Sequence, residues 1–364
     1  MGEAVASDIR EQITEWLTGA DTCFLLGAGC SVCASKPLIG ELTTKVLTDA
    51  EEKLQQQFAG LKPTGDRAAT IEDLITYLVR YRDILNTITS GDGHDVSIEE
   101  IDKWLTTIKK KIVVAIADDW KPSTHHLCFL QRVQNPRQSL PRDVFILNYD
   151  TVLEASLDEL RLPYVDGFRG TNRAWFDPDV FDESGTAGPL FRVFKLHGSI
   201  NWTRDDAGYV RRGRNANADA KDEPIVVYPS EQKYLQTRYG VYETLIARFR
   251  NRLRTSGANN CLVVLGYSFN DEHINEAICD AVTARNSNLT VVSFVGPETD
   301  RGRQIARLNA IAGRCDNRFN AFIGGGDSGQ FVGHALDKDG AKAVIKAELW
   351  RFENLVTLIA GEVS

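Results

Sequence analysis

The chain has 364 residues, of which 43% are apolar and 25% are charged, and its 42 basic and 50 acidic side chains give a formal net charge of −8. This is the composition of an ordinary globular protein, and a chain of this length has room for about two domains with cores that need no disulfides. The acidic balance argues against a protein whose main affinity comes from neutralising a phosphate backbone. Direct binding to nucleic acid is therefore not expected.

The sequence carries no sign of membrane insertion or secretion. No apolar run approaches the ~18 residues that span a bilayer, and the first residues are acidic and lack the apolar core of a secretory signal. Seven cysteines are an odd number for a disulfide framework, and most of them lie in apolar or helical surroundings. We therefore expect no membrane association and a cytoplasmic location.

Six short apolar runs, rich in β-branched residues, punctuate the sequence at wide intervals. They cover residues 22–26, 144–147, 192–196, 224–228, 261–265 and 290–295. Such runs, separated by helical stretches, are typical of parallel strands that are buried on both faces. The sequence therefore predicts an α/β protein with a Rossmann-like, doubly wound parallel sheet.

The segment between the first two runs is too long for a single crossover helix. Apolar residues at 71, 74, 75, 78 and 79 follow the helical period. We predict a helical subdomain over residues 46–140, inserted into a nucleotide-binding domain of residues 1–45 and 141–330. Residues 331–364 are predicted as a C-terminal helical segment, in which 341–359 form one amphipathic helix, and residues 205–221 as an exposed hairpin or loop.

The first candidate site follows the first strand, where Gly27, Ala28 and Gly29 precede Ser31. Glycines let the backbone turn tightly and approach a diphosphate, whose charge the N–H groups of a helix N-terminus then bind. The third glycine of the usual dinucleotide fingerprint is replaced by Val32. Taken alone, the motif leaves a plain tight turn equally open.

The second candidate site is Asn148 and Asp150, at the end of the second strand. In open α/β sheets, ligands bind outside the carboxyl ends of the strands. The two residues alternate along an extended segment, so both side chains can face the same crevice. The alternative is that they cap the helix that begins near Leu153.

Two further motifs follow later strands. His197, followed by Gly198, is well placed for general base catalysis, although a lone histidine is more often structural. Gly266 and Ser268 are placed to contact a phosphate or ribose, and the alternative is that Ser268 or Asn270 caps the next helix. Four strands that end in small polar motifs are not explained by capping alone, because caps need not collect at one edge of a sheet.

These four motifs, in this order, resemble the NAD-binding core of the sirtuins. The longer segments FILNYDTVLE (145–154), KLHGSINW (195–202) and LGYSFNDEHIN (265–275) are similar to those of the sirtuin-like NAD hydrolases of bacterial anti-phage defence. The resemblance covers about residues 20–45 and 143–300.

The resemblance implies that NAD⁺ is the substrate and assigns roles to the residues that match. Asn148 would hold the nicotinamide-side ribose or the attacking water, and Asp150 would shape the nicotinamide pocket. His197 would act as the general base. The diphosphate and the adenosine side would be bound by Gly27, Ala28, Gly29, Ser31, Gly266 and Ser268.

The sequence departs from the deacylating sirtuins at two points. Leu147 stands where deacylases carry a glutamine before the asparagine. Deacylases also carry a four-cysteine zinc ribbon after the His-Gly motif, whereas this chain has no cysteine between His197 and Cys261. Because a tetrathiolate site cannot be built there, we expect no zinc ribbon and no metal.

Three other patterns are given structural interpretations. Cys30 and Cys33 have the spacing of metal or redox pairs, but they lie inside the nucleotide loop and no second pair follows at zinc-ribbon spacing. Asp271 and His273 have the spacing of metal ligands, but helix capping and local packing are the simpler explanation for them. The histidines at 125–126 fit the start of a helix that packs on the core.

The resemblance therefore implies a NAD⁺ hydrolase that depletes the cofactor in infected cells, in the manner of abortive infection. The alternatives are a NAD-dependent protein deacylase and a nucleotide-binding scaffold subunit without turnover. The resemblance also implies a homo-oligomer that docks on a HerA-type ring ATPase. Because an unregulated NAD⁺ hydrolase would kill its host, we expect control by a partner or by oligomerisation. The arginines near 248–254 are either solvated or a docking surface.

Overall fold

The computed structural model describes residues 7–63, 68–87, 95–117, 121–134, 140–183, 188–205, 207–213, 223–226, 240–255, 260–315, 318–325 and 328–361. In chain order, the strands are β1 (Thr22–Leu26), β2 (Arg142–Ile146), β3 (Tyr164–Val165), β4 (Phe168–Arg169), β5 (Ala174–Phe176), β6 (Phe191–Lys195), β7 (Gly198–Arg204), β8 (Val210–Arg212), β9 (Glu223–Val226), β10 (Cys261–Leu265), β11 (Thr290–Val295), β12 (Phe319–Ile323) and β13 (Gln330–Val332).

The helices lie between these strands and at both ends of the described chain. They are α1 (Ser7–Thr18), α2 (Ile39–Leu47), α3 (Glu52–Ala59), α4 (Ile71–Thr87), α5 (Ile98–Ile116), α6 (Thr124–Val133), α7 (Val152–Glu159), α8 (Val241–Leu253), α9 (Glu272–Thr283), α10 (Arg301–Arg314), α11 (Lys338–Lys346) and α12 (Phe352–Ala360). Two 3₁₀ helices cover Ala28–Ala34 and Pro178–Asp182.

The central sheet has eight strands in the order β13-β12-β11-β10-β1-β2-β6-β3. All neighbours are parallel except β12 and β13. If β1, β2, β6, β10, β11 and β12 are numbered one to six along the chain, their order in space is 3-2-1-4-5-6. This is the strand order of dinucleotide-binding Rossmann folds, with its switch point between β1 and β10. The prediction of an α/β fold with a doubly wound parallel sheet is therefore confirmed.

Helices cover both faces of this sheet, which explains why its strands read as continuous apolar runs. Within β1, Cys23 and Leu25 contact one hydrophobic core, whereas Phe24 and Leu26 contact the other. The first core includes buried residues of α8 and α9, and the second includes buried residues of α1, α6, α7 and α12.

A second, antiparallel sheet of five short strands has the order β4-β5-β8-β7-β9. The run at 224–228 was expected to be a parallel strand of the main sheet. Its residues 224–226 belong instead to β9, which pairs antiparallel with β7, and residues 227–228 lie outside the described residues. The prediction for this run is wrong, because an apolar run does not encode its pairing partner.

Helices α2 to α5 enclose a hydrophobic core of their own. Among its members is Trp104, whose indole N–H donates to Glu51 at 2.9 Å. Helix α5 begins with a capping box, in which Ser97 and Glu100 bond each other's backbone N–H groups. Helix α6, by contrast, packs on the central sheet. The helical core also includes Tyr149, so it reaches the end of β2.

The C-terminal segment is not the single amphipathic helix that the sequence predicts. It consists of α11 and α12, and between them Glu348 has a left-handed φ of 51°. The break lets Phe352 turn into the core, where its ring lies 5.3 Å from that of Phe129. This end of the chain therefore packs on its own domain. Of the helices that the structure describes, none has the length and apolar character to cross a bilayer.

Candidate active site

The four sequence motifs meet at the carboxyl edge of the central sheet. They follow β1, β2, β6 and β10, which are adjacent and parallel in the order β6-β2-β1-β10. All nine predicted site residues therefore lie around the switch point, where open α/β sheets bind their ligands. Their contacts differ from one motif to the next.

The glycine motif after β1 is interlocked with the turn after β10. The backbone N–H groups of Gly27 and Gly29 donate to the carbonyls of Leu265 and Gly266, at 2.8 and 2.9 Å. A Cβ on Gly27 would lie 2.5 Å from the carbonyl oxygen of Gly266, so no side chain fits there. These N–H groups are used within the protein, and Ala28 is the exposed residue of the motif.

Asn148 and Ser31 form the central polar pair of the site. The amide nitrogen Nδ2 of Asn148 donates to Oγ of Ser31 at 2.8 Å, and both side chains are buried. Ser31 is held in the 3₁₀ helix that directly follows β1. The other amide atom, Oδ1 of Asn148, is buried and has no hydrogen-bond partner among the described residues.

Asp150 is buried at the start of α7, where its Oδ1 accepts from the backbone N–H of Val152 at 3.1 Å. Asp150 is not the N-cap residue that the alternative would make it, because the N-cap position is Thr151, whose side chain makes no capping bond. The backbone carbonyl of Asp150 accepts from the buried ammonium of Lys195. The same ammonium lies 3.4 Å from Oε1 of Glu154. Burial raises the pKa of Glu154, and the charge of Lys195 only partly offsets this effect.

His197 faces a carboxylate that comes 74 residues later in the chain. Its Nε2 lies 3.0 Å from Oδ2 of Asp271. The other oxygen, Oδ1, accepts from the backbone N–H groups of His273 and Ile274, so Asp271 also caps α9. Burial acts to raise the pKa of Asp271, but the hydrogen bond and charge of His197 outweigh it, and the pKa is lowered. An ionised Asp271 favours the tautomer with hydrogen on Nε2, which leaves Nδ1 as the basic nitrogen.

The turn after β10 places Gly266 and Ser268 beside the glycine motif. Gly266 has a left-handed φ of 63°. The hydroxyl of Ser268 accepts from Nδ2 of Asn270 at 2.9 Å, and its carbonyl accepts from Arg307 at 2.8 Å. The alternative that Ser268 or Asn270 caps the next helix is wrong, because Asp271 is the capping residue.

Metal-binding groups do not form in the described part of the chain, where no three His, Cys, Asp or Glu side chains come together. The thiol of Cys33 lies 3.3 Å from the carbonyl of Cys30 and 3.7 Å from the hydroxyl of Ser123. Burial raises the pKa of Cys33 to about 11 and that of Cys30 well above its ordinary value. Both thiols are therefore protonated at neutral pH, which makes them poor ligands and poor nucleophiles.

Four further residues contact this site. Asp271, Lys195 and Glu154 were inside the quoted motifs but received no site role, and Tyr149 was passed over between Asn148 and Asp150. A signal existed for Lys195, since a lysine inside an apolar strand is almost never fully buried without a partner. For Asp271, the sequence pattern indicated only a helix cap and gave no sign of the contact with His197.

Comparison with known proteins gives a family match and likenesses to solved structures. Residues 142–312 match the family described as SIR2-like domain. Two of these solved structures are mutants of a Sir2 homologue in complex with ADP-ribose. One has 12% identity and a TM-score of 0.39, and covers 84% of this chain and 96% of that chain. The other has 11% identity and a TM-score of 0.36, with 83% and 96% covered.

A comparison with the curated proteins found no match. The family match begins at β2, includes the motifs at Asn148, His197 and Gly266, and does not include the glycine motif after β1. It spans a little under half of the chain. Residues 142–312 therefore resemble a SIR2-like domain, and the central sheet of the chain has the Rossmann strand order.

Proposed function

We propose that this protein is a NAD⁺ hydrolase, which cleaves NAD⁺ to nicotinamide and ADP-ribose. The observation that carries the proposal is the placement of two polar pairs, Asn148 with Ser31 and His197 with Asp271, around one switch point. The first pair offers a neutral amide and hydroxyl for sugar groups, and the second offers a base with an ionised partner. The SIR2-like domain over residues 142–312 supports a NAD-related activity.

Most of the candidate site residues are small or carry neutral polar side chains, which suits the binding of a dinucleotide. Gly27 and Gly266 let the two backbone segments meet at the switch point with no side chain between them. The small cavity beside Asn148 has room for about one water molecule and is too small for nicotinamide. In this proposal NAD⁺ therefore lies in the crevice outside that cavity.

The reaction breaks the bond between the ribose carbon and the nicotinamide nitrogen. Nicotinamide leaves with the bonding electrons as a neutral ring, and the ribose carbon acquires oxocarbenium character, as in glycoside hydrolysis. A water oxygen then bonds to that carbon, and its proton passes to a base. We assign the base to Nδ1 of His197, stabilised after protonation by Asp271, and the positioning of ribose or water to Asn148. Asp150 shapes the nicotinamide side.

The test is nicotinamide release from NAD⁺ by the purified protein, with products separated by chromatography. We expect nicotinamide and ADP-ribose in equal amounts, unchanged by a metal chelator, and none from Asn148→Ala. An acyl-peptide assay run in parallel separates hydrolysis from deacylation. We expect no deacylation, because Leu147 stands where deacylases carry a glutamine. Binding of NAD⁺ without turnover under all conditions would favour a scaffold subunit and overturn the proposal.

We further propose that the protein acts in the cytoplasm as an effector of anti-phage defence, as a homo-oligomer paired with a HerA-type ring ATPase. The resemblance of the motifs supports this role. Two arginines of α8 do not add to it, since Arg248 and Arg252 form ion pairs with Asp182 and Asp143. Light scattering at micromolar concentration should show a particle larger than a dimer, and the ATPase should change NAD⁺ turnover. A fully active monomer would contradict the proposal.

A further inference from the structure

A small cavity lies beside Asn148, between the end of β2 and the helices α6 and α7. Its lining includes Asn148, Glu154 and His126, and it has room for about one water molecule. The three residues are at most 8% exposed. His126 and Glu154 have no role in the proposed reaction.

Each of these side chains brings a buried polar atom that has no hydrogen-bond partner among the described residues. The atoms are Nδ1 of His126, Oδ1 of Asn148 and Oε2 of Glu154. Unpaired buried polar atoms are costly, and in folded proteins nearly all of them are bonded to protein or to ordered water. A buried water typically makes about three hydrogen bonds, so three such atoms around one cavity match its needs.

We propose that one water molecule occupies this cavity and that His126 and Glu154, acting through it, are positioning residues for Asn148. The water donates its two hydrogens to Oδ1 of Asn148 and Oε2 of Glu154. It accepts one hydrogen bond from Nδ1–H of His126, so all three atoms are satisfied. Burial lowers the pKa of the His126 ring to about 4, so the ring is neutral at pH 7 and donates as the tautomer with hydrogen on Nδ1.

The water fixes the Oδ1 end of the Asn148 amide. Its Nδ2 already donates to Ser31 at 2.8 Å, and a bonded Oδ1 prevents rotation about that contact. Glu154 is itself held by Lys195, 3.4 Å from its Oε1, and the same lysine donates to the carbonyl of Asp150. One polar network thus runs from α6 to both ends of the Asn148–Asp150 segment.

The kinetic part of this inference rests on the proposed NAD⁺ hydrolase activity, whereas the structural part does not. The first experiment is therefore a crystal structure of the wild-type protein at a resolution that shows ordered water. We expect one water within about 3.2 Å of all three atoms. A dry cavity, or direct pairing among the three side chains, overturns the proposal whether or not the protein cleaves NAD⁺.

The second experiment compares two variants of His126. His126→Phe keeps a ring against Phe352, which lies 4.8 Å away, and removes the donor. His126→Asn keeps a nitrogen on Cγ, where Nδ1 is attached. We expect His126→Phe to lose the water, to rotate the Asn148 amide in its crystal structure, and to lower kcat on the order of tenfold to hundredfold with KM little changed. His126→Asn should restore most of the turnover.

The control is Phe352→Leu, which disturbs the packing around His126 without removing a polar atom. It should lower the thermal midpoint and leave kcat close to that of the wild type. Equal losses of kcat in Phe352→Leu and His126→Phe would mean that His126 acts by packing, and would overturn the positioning role. An unchanged Asn148 amide in His126→Phe would do the same. Absence of turnover in the wild type would refute the hydrolase, and the crystal structures would still decide this proposal.

Discussion

The hydroxyl of Tyr149 donates to Oε1 of Glu72 across 3.2 Å. Tyr149 is the residue between Asn148 and Asp150, and its ring belongs to the hydrophobic core of the helical subdomain. Its carbonyl accepts from the backbone N–H of Ile200 at 2.9 Å. A displacement of α4 therefore acts directly on the segment that carries two candidate site residues.

Tyr149→Phe removes this hydrogen bond and keeps the ring. We expect the free energy of unfolding to fall by about 1 kcal/mol, the usual net value of one hydrogen bond, as measured in urea. Tyr77→Phe is the matched control, because the hydroxyl of Tyr77 donates to Gln57 at 2.8 Å inside the helical subdomain. Both variants should lose similar stability, but only Tyr149→Phe should lower NAD⁺ turnover. Equal turnover in the two would show that α4 does not influence the site.

Asn148→Ala and His197→Ala should each abolish NAD⁺ cleavage while the fold survives. Both residues stand beyond the ends of their strands, so truncation removes little of the sheet core. The measurements are nicotinamide release and the thermal unfolding midpoint. Asn354→Ala serves as a control, since that side chain donates to backbone carbonyls in the C-terminal segment, and it should keep full turnover. Near-normal activity in either site variant would show that the residue is wrongly assigned.

Asp271→Asn separates the two roles of that residue. Asparagine still caps α9, because its oxygen accepts backbone N–H bonds as well as aspartate does. It brings no charge to His197 and no longer selects the tautomer, so kcat should fall on the order of 10²- to 10⁴-fold. Asp300→Asn is the control, since Asp300 caps α10 through the N–H of Arg303. If Asp271→Asn kept kcat within about twofold, the pair with His197 would be structural only.

Stability should depend on pH through His126. Burial lowers the pKa of this ring from 6.5 to about 4, although the charge of Asp150 acts to raise it. Between these values the unfolded chain binds more protons than the folded chain, so stability falls as the pH is lowered. The free energy of unfolding should drop by up to about 3 kcal/mol from pH 7 to pH 4 on account of this group.

Urea unfolding across that range tests the prediction. His126→Phe should lose this part of the pH dependence, and His125→Gln, one residue earlier, should keep it. An identical pH dependence in wild type and His126→Phe would contradict a buried neutral ring.

Gly266→Ala should cost far more than an ordinary glycine replacement. The residue has a φ of 63°, and an added Cβ would lie 2.5 Å from the backbone nitrogen of Cys30. We expect a loss of about 3 kcal/mol, combining left-handed strain with overpacking. Gly240→Ala is the control, since its φ is 73° but the added Cβ meets open space, and it should lose about 1 kcal/mol. Equal losses would mean that the turn relaxes freely.

The strands of the main sheet were predictable because burial on both faces leaves a continuous apolar run. The limits of β1, β10 and β11 agree with the prediction to the residue. The antiparallel sheet was missed, because strands such as Phe168–Arg169 and Val210–Arg212 are too short to show a period. The break at Glu348 has no glycine or proline to mark it.

The site was predictable in its placement but not in its contacts. Motifs at strand ends share one edge in any parallel sheet, so the placement of Asn148 and His197 was predictable without knowledge of the strand order. The partners of these residues are distant in sequence, as with Ser31, 117 residues before Asn148. The contacts of His126 were likewise not predictable from the sequence, because its cavity forms only when α6 packs beside β2.

The backbone contact between the turns after β1 and β10 restricts how the crevice can admit a substrate. Separating these turns would break the hydrogen bonds from Gly27 and Gly29 to Leu265 and Gly266, which hold the two halves of the Rossmann sheet together at this edge. Any widening of the crevice must therefore come from movement of the residues on its two sides. One side carries His197 and continues into the antiparallel sheet, and the other side is the helical subdomain, whose core includes Tyr149. A ligand or partner that binds either side would thus control entry to the crevice without touching the carboxyl edge of the sheet itself.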